Sequence, residues 1–192
     1  IFAKKISQKS YEYYAQKRNI KLLENDPLDT RTQLISNQNQ TLDINLTGLS
    51  REDKLAKLSQ NISANQAIYV TDLDEVSYIF NMRNFSQVYS AKIKAKAVIF
   101  KDNAVLFTQD KLDTLTDFLK NLGKEVFIDK STINAFDYGI LADKAKEFIT
   151  NPIQSMKAQK TDAELEHLKK AFEKTDNAMR SIKKYIESNE NI

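Results

Sequence analysis

The sequence predicts an α/β domain of three layers, with helices on both faces of a mixed sheet, and a long C-terminal helix after it. Three observations predict this. Short β-branched or aromatic runs alternate with amphipathic segments through the middle of the chain. Between Ala67 and Phe80 the period changes: Ile68, Tyr69 and Val70 suit a buried strand, and then Leu73, Val76, Ile79 and Phe80 fall on one helical face. Finally, Thr161-Asp162-Ala163-Glu164 is a full capping box that opens a long apolar stripe.

The elements follow in order. Residues 1–19 read as a polar helix with a thin apolar side of Phe2, Ile6, Tyr13 and Tyr14. Ile20 to Leu23 reads as a short strand, closed by Asn25-Asp26-Pro27, because proline keeps the residue before it out of the helical region. From Leu28 to Thr47 the chain is rich in Gln, Asn and Thr and aperiodic, which predicts a linker and a domain boundary. Ser50 opens a helix whose buried stripe is Leu55, Leu58 and Ile62. Asp72 caps the next helix, with Glu75 placed to reach back to the cap's own N–H.

Lys96–Phe100 and Ala104–Thr108 form a hairpin across Lys101-Asp102-Asn103, where Asp and Asn tolerate left-handed conformations. Asp110 caps a helix carrying Leu112, Leu115, Leu119 and Leu122, and Gly123 stands where it would stop it. Glu125–Asp129 is a short buried strand, residues 132–145 a weaker helix, and Glu147-Phe148-Ile149 a last strand. The terminal helix runs from Asp162 to about Ile186. Its apolar residues are Leu165, Leu168, Phe172, Met179, Ile182 and Ile186, with Thr175 the one polar interruption.

Composition narrows the function. The net charge of +3 comes from 29 basic and 26 acidic residues, well mixed along the chain. The one basic concentration is Lys92, Lys94 and Lys96, which share one side of a strand. It reads as an edge strand guarded against aggregation before it reads as a phosphate contact, so no nucleic-acid partner is expected. No run approaches the roughly 18 apolar residues of a membrane span, and no membrane partner is expected. Ile1-Phe2-Ala3-Lys4-Lys5 has no apolar core of a signal peptide behind it, and Cys is absent, so a cytoplasmic address is expected.

No active site is expected either. His167 is the only His and sits among Glu164, Glu166 and Lys169 on a strongly periodic helix, as a solvent-facing residue would. Three scattered glycines make no phosphate loop. Asp72, Asp74 and Glu75 cluster at a helix start, where acidic groups stabilise the positive end of the dipole. The best functional candidates are Asn81, Arg83 and Asn84, just past a helix end, where polar residues are free to face a neighbouring domain. Arg83 could fork onto a carboxylate there or serve as a cation on the helix C-terminus.

These residues also carry a resemblance. Leu73-Asp74-Glu75-Val76-Ser77-Tyr78-Ile79-Phe80-Asn81-Met82-Arg83 resembles the LDE-I-x-W-L-x-N-x-R-G segment of three-domain, creatinase-related Xaa-Pro aminopeptidases (aminopeptidase P). The likeness is repeated in order at Asn25…Leu28-Asp29, at Leu46-Thr47-Gly48 with Lys54-Leu55, and at Asn151-Pro152-Ile153. It ends at Lys157-Ala158-Gln159-Lys160-Thr161-Asp162-Ala163-Glu164, which is similar to the run that leads into the family's catalytic domain. There are departures. Tyr78 stands for the family's Trp and Asn84 for its Gly; Asp29-Thr30-Arg31 lacks the W-x-x-RP of the linker, and no Asn-Pro occurs around Tyr89.

The resemblance implies a creatinase N-terminal-like fold with a ribonuclease H-like motif at residues 50–155. It implies that residues 1–25 are the tail of a preceding domain, 26–49 a linker, and 156–192 the first helix of a truncated pita-bread catalytic domain. The parent would be a metallopeptidase that releases an N-terminal residue preceding proline from proline-containing peptides. It would use two divalent metals, manganese, in the missing catalytic domain, and no cofactor in this chain. Two other readings stay open: a stand-alone interaction module of the same fold, and a basic α/β domain for nucleic acid. The terminal stripe, orphaned from its catalytic domain, predicts that Leu165 to Phe172 folds back onto the domain. Met179, Ile182 and Ile186 would then pair with another copy in a homodimer, or the last turns would fray.

Overall fold

The computed structural model describes residues 1–24, 26–27, 38–86 and 89–189. Asn25 and residues 28–37, where much of the expected linker falls, lie outside the described residues. Its strands are β1 (Asn39–Thr41), β2 (Gln66–Val70), β3 (Met82–Asn84), β4 (Ala95–Ile99), β5 (Ala104–Thr108), β6 (Glu125–Ile128) and β7 (Ala145–Glu147). Its helices are α1 (Gln8–Ala15), α2 (Ile44–Thr47), α3 (Arg51–Ser59), α4 (Leu73–Ile79), α5 (Leu112–Lys120), α6 (Ala135–Leu141), α7 (Pro152–Ala158) and α8 (Asp162–Ser188).

The main sheet has the order β5-β4-β2-β6-β7. The β2–β4 and β4–β5 pairs are antiparallel, and β2–β6 and β6–β7 are parallel, so the sheet is mixed as expected. Alternation along the strands builds two cores. Ile68 and Val70 of β2 face one way, with Ala95, Ala97 and Ile99 of β4, and pack under Leu58, Val76, Ile79 and Ile153. Ala67 and Tyr69 face the other way, with Val126 and Ile128, and pack under Leu115, Leu119 and Leu141. Helices therefore cover both faces, giving three layers.

Several local expectations change. Residues 39–48 are not aperiodic: β1 pairs antiparallel with β3, and Asp43 caps the helical turn α2. The polar Gln/Asn/Thr composition hid them because a two-stranded ribbon and a capped turn need no apolar period. Ile20–Leu23 forms no strand; Leu23 makes a single bridge to Phe2. The first segment divides into a 3-10 turn, Ala3–Lys5, and α1, capped by Ser7. This N-terminal segment lies on the domain: Gln8 N–H donates to Ile133 O at 2.8 Å, and Ala135 N–H to Ile6 O at 3.0 Å.

The Lys101-Asp102-Asn103 hairpin forms without left-handed residues; among the described residues these are Asn81, Tyr89 and Gly48. Gly123 is not a left-handed stop either, since α5 ends at Lys120 with Asn121 in the right-handed region. A 3-10 turn, Gln109–Lys111, takes the place of the Asp110 cap. The expected helix over 132–145 is the shorter α6, capped by Asn134, and the last strand falls at 145–147, ahead of Phe148.

β4 is not an edge strand. It lies between β5 and β2, and its lysine is turned to another use: Lys96 Nζ pairs with the buried carboxylate of Asp137, which also accepts from Tyr69 OH at 2.7 Å. Lys92 pairs with Asp74 at 2.8 Å. An interior polar triad needs no period in the sequence, so nothing there announced it.

Candidate interdomain joint

Gly48, Lys54, Asn81 and Thr161 link the core to the point where α8 leaves the domain. The joint begins at α2, whose C-cap, Gly48, has φ 67° and donates its N–H to Ile44 O at 2.7 Å. A side chain here would be strained by the left-handed backbone and blocked as well. An added Cβ would lie 2.4 Å from Thr161 Oγ1 and 2.6 Å from Thr161 Cβ. Thr161 is the N-cap of α8. Its hydroxyl accepts from Glu164 N–H at 3.2 Å, and its own N–H donates to Glu164 Oε2 at 2.9 Å, which completes the capping box. The same hydroxyl reaches Thr47 O at 3.3 Å. The start of α8 is thus seated directly on the end of α2.

Lys54 ties this seat to the core. It is 1% exposed, a rare setting for a lysine unless it is paired. Its Nζ donates to Tyr78 O at 2.9 Å and to Asn81 Oδ1 at 2.5 Å, and lies 3.9 Å from the centre of the Tyr78 ring. Asn81, at φ 50°, completes the chain by donating Nδ2 to Leu49 O at 2.8 Å. Tyr78 OH in turn reaches Met156 O of α7 at 3.4 Å. Burial pushes the Lys54 ammonium down to about 8; the Arg83 charge adds to this, and the Glu164 carboxylate opposes it.

The other side of α4 is held by Glu75. It does not reach back to the cap of its helix, as the spacing suggested. Asp72 alone caps α4, accepting from Asp74 N–H at 2.7 Å and Glu75 N–H at 3.2 Å. The Glu75 side chain instead turns inward and accepts from Asn151 Nδ2 at 2.8 Å, while Asn151 Oδ1 caps α7. Burial pushes the Glu75 carboxyl up to about 7; the hydrogen bonds from Gln154 and Asn151 oppose this and the charges of Asp72 and Asp129 add to it.

Of the three residues expected to face a neighbouring domain, two turn inward. Asn81 and Asn84 are 5% and 2% exposed. Asn84 Nδ2 donates to Asn39 Oδ1 at 3.1 Å, and its Oδ1 accepts from Ser86 N–H at 3.0 Å. The physical reason is the β1–β3 ribbon, which folds this segment back over the helix end. Arg83 is half-buried, and its Nη1 donates to Ser77 O at 3.0 Å and Met82 O at 2.8 Å, placing the cation at the C-terminus of α4.

Helix α8 departs from the expectation in its first half. Leu165 and Leu168 are 42% exposed and Phe172 is 72% exposed, so that half does not fold back onto the domain. The seat on α2 holds only the first turn and sends the rest outward. Met179, Ile182 and Ile186 are exposed, and Tyr185, which the stripe did not include, joins them. His167 is exposed on the same helix. Among the described residues no three His, Cys, Asp or Glu side chains are grouped to hold a metal. Nor is any described helix long and apolar enough to cross a membrane.

Residues 30–124 match the Creatinase/Prolidase N-terminal domain. Aminopeptidase P2 of Arabidopsis thaliana is 28% identical over 156 residues, covering 79% of this chain and 21% of the plant protein. A probable Xaa-Pro aminopeptidase P of Coprinopsis cinerea is 27% identical over 162 residues, covering 65% of this chain and 26% of its own length. The chain therefore spans about a fifth to a quarter of these relatives. The crystal structure of X-prolyl aminopeptidase from Caenorhabditis elegans, a cytosolic enzyme with a di-nuclear active site, superposes with a TM-score of 0.69 at 17% identity. That match covers 79% of this chain and 29% of the nematode chain, and it shows the shared fold. Residues 30–124 carry the creatinase/prolidase N-terminal domain match, and the chain as a whole resembles the N-terminal region of Xaa-Pro aminopeptidases.

Proposed function

We propose that this chain is a non-catalytic N-terminal and middle segment of a metal-dependent, cytoplasmic Xaa-Pro aminopeptidase, and that it positions a catalytic domain which α8 begins. The observation that carries the reading is the joint. Residues of the similar blocks, Gly48, Lys54, Tyr78, Asn81 and Thr161 with Glu164, are far apart in sequence and meet where α8 departs. The apolar stripe left in solvent on a helix anchored at one end is a face that a further domain would cover. In this reading residues 1–25 belong to a preceding domain, and 156–192 open the pita-bread domain. That domain would supply two manganese ions to hydrolyse the bond before proline; this chain would shape the mouth and hold the domain in place.

Arg83 gives the test, because it secures the end of α4 without contacting any group placed for chemistry. In the full-length protein, Arg83→Ala is expected to change KM or thermal stability while kcat stays within about tenfold, since lost positioning contacts rarely abolish the chemical step. Steady-state kinetics on a proline-containing peptide check it. A collapse of kcat in a folded variant would place Arg83 in the catalytic apparatus instead.

A further inference from the structure

We infer that Lys54 is the positioning residue that sets the direction in which α8 leaves the domain, acting through the end of α4 and the Glu164 carboxylate. The inference deepens the positioning role proposed above and rests on that reading. The geometry is one of convergence. Lys54 projects from α3 into a site closed by α4 and the segment entering β3. From α4 it meets the Tyr78 carbonyl and ring; from the turn after α4, the Asn81 amide oxygen. Arg83 of β3 and Glu164 of α8 act on it through their charges, with opposite sign. On its own helix, Arg51 is turned away, stacked 4.6 Å from the centre of the Phe80 ring.

Each partner leads to the seat of α8. Asn81 passes the contact to Leu49 O, next to Gly48, and Glu164 is half of the capping box whose other half is Thr161. Tyr78 passes it through Met156 O to α7, which leads into α8. The ammonium therefore fixes α4, α2 and α8 relative to one another. Its neutral form would keep two N–H donors but lose its attraction for Glu164 and for the face of the Tyr78 ring. The fold should survive this. Removing the nitrogen altogether is a costlier change, because the Tyr78 carbonyl and the Asn81 amide oxygen lose their donor.

The chain has no cysteine, so thiols introduced at Asp117 and Lys174, both exposed, take two spin labels and no others. Pulsed electron spin resonance on the labelled chain, diluted in unlabelled chain, reads the distance between α5 and α8. The distribution should be narrow below neutrality and widen about twofold as pH rises through the Lys54 midpoint near 8. In Lys54→Met it should be wide at every pH, with the thermal midpoint lowered by the two orphaned oxygens. Glu164→Gln keeps the capping box, because Gln serves at that position, and removes only the charge. It should move the midpoint to lower pH, and Arg83→Gln should move it to higher pH.

A distribution that ignores pH, or a Glu164→Gln variant whose midpoint does not move, overturns the inference. Should Lys54→Met fail to fold, the two charge variants decide alone. Failure here leaves the kinetic test of Arg83→Ala untouched, so the loss of this lock and the loss of the peptidase reading are told apart.

Discussion

Ile182→Glu is expected to turn a self-associating chain into a monomer. Leu165, Leu168, Phe172, Met179, Ile182 and Ile186 recur at heptad spacing, and Thr175 fills the remaining position of the seam. The structure leaves all of them in solvent, with Ile182 54% and Met179 61% exposed. The 27 residues of α8 form a rod of about 40 Å. Burying each large apolar side chain is worth about 1.5–3 kcal/mol, so a second copy laid along this face gains more than side-chain ordering costs. A carboxylate at the centre of the far half of the seam would have to be buried unpaired, at a cost of several kcal/mol. Light scattering over a range of concentrations reads the mass directly. Identical monomer masses for both proteins would show that the seam is not used in this way.

Gly48→Ala carries the second large effect. Two costs combine at one atom. A left-handed backbone costs an L-residue about 1–2 kcal/mol relative to glycine. The new Cβ would also stand 2.4 Å from Thr161 Oγ1, so Thr161 must move. It cannot move without surrendering the cap of α8, worth about 1 kcal/mol, and the contact to Thr47 O. The expected loss is therefore about 2–4 kcal/mol, measured by urea unfolding. The partner variant Thr161→Gly costs little beyond the cap and opens the space. The double variant should be destabilised less than the sum of the two, by about 1 kcal/mol or more, because the clash is shared. Strict additivity would mean that the α2–α8 seat is not closed in solution.

The fold was legible wherever burial imposed a period. The β2–α4 unit, the Leu112–Leu119 stripe and the capping box at Thr161 each stand where their residues place them, because one face of each must be apolar or one orphan N–H must be satisfied. Polar pairing was not legible. The β1–β3 ribbon is built from Asn, Gln, Thr and Arg with a single Met, and its register depends on backbone partners that no side-chain period reveals. Glu75 shows the same limit. A carboxylate three residues after a cap has two satisfying geometries, and the choice of Asn151 over the cap was made by a residue far along the chain.

The joint lay between these extremes. Its residues could be picked out as blocks resembling a family, yet their purpose appears only when Lys54, Asn81, Gly48 and Thr161 are seen together. A buried lysine was the missed signal. Lys54 stands four residues before Leu58 and so on the buried face of α3, but a lysine there reads as polar until its partners Tyr78 and Asn81 are seen. Asn81 and Asn84 misled in the other direction, since polar residues after a helix end suggest solvent until a ribbon covers them.

On the proposed reading, this chain holds and orients a catalytic domain and does no chemistry of its own. Incubating the purified chain with a proline-containing peptide and manganese measures that most directly. No release of the N-terminal residue above the rate without protein is expected, at any chain concentration. Release that rises in proportion to the chain and follows it through purification would contradict it.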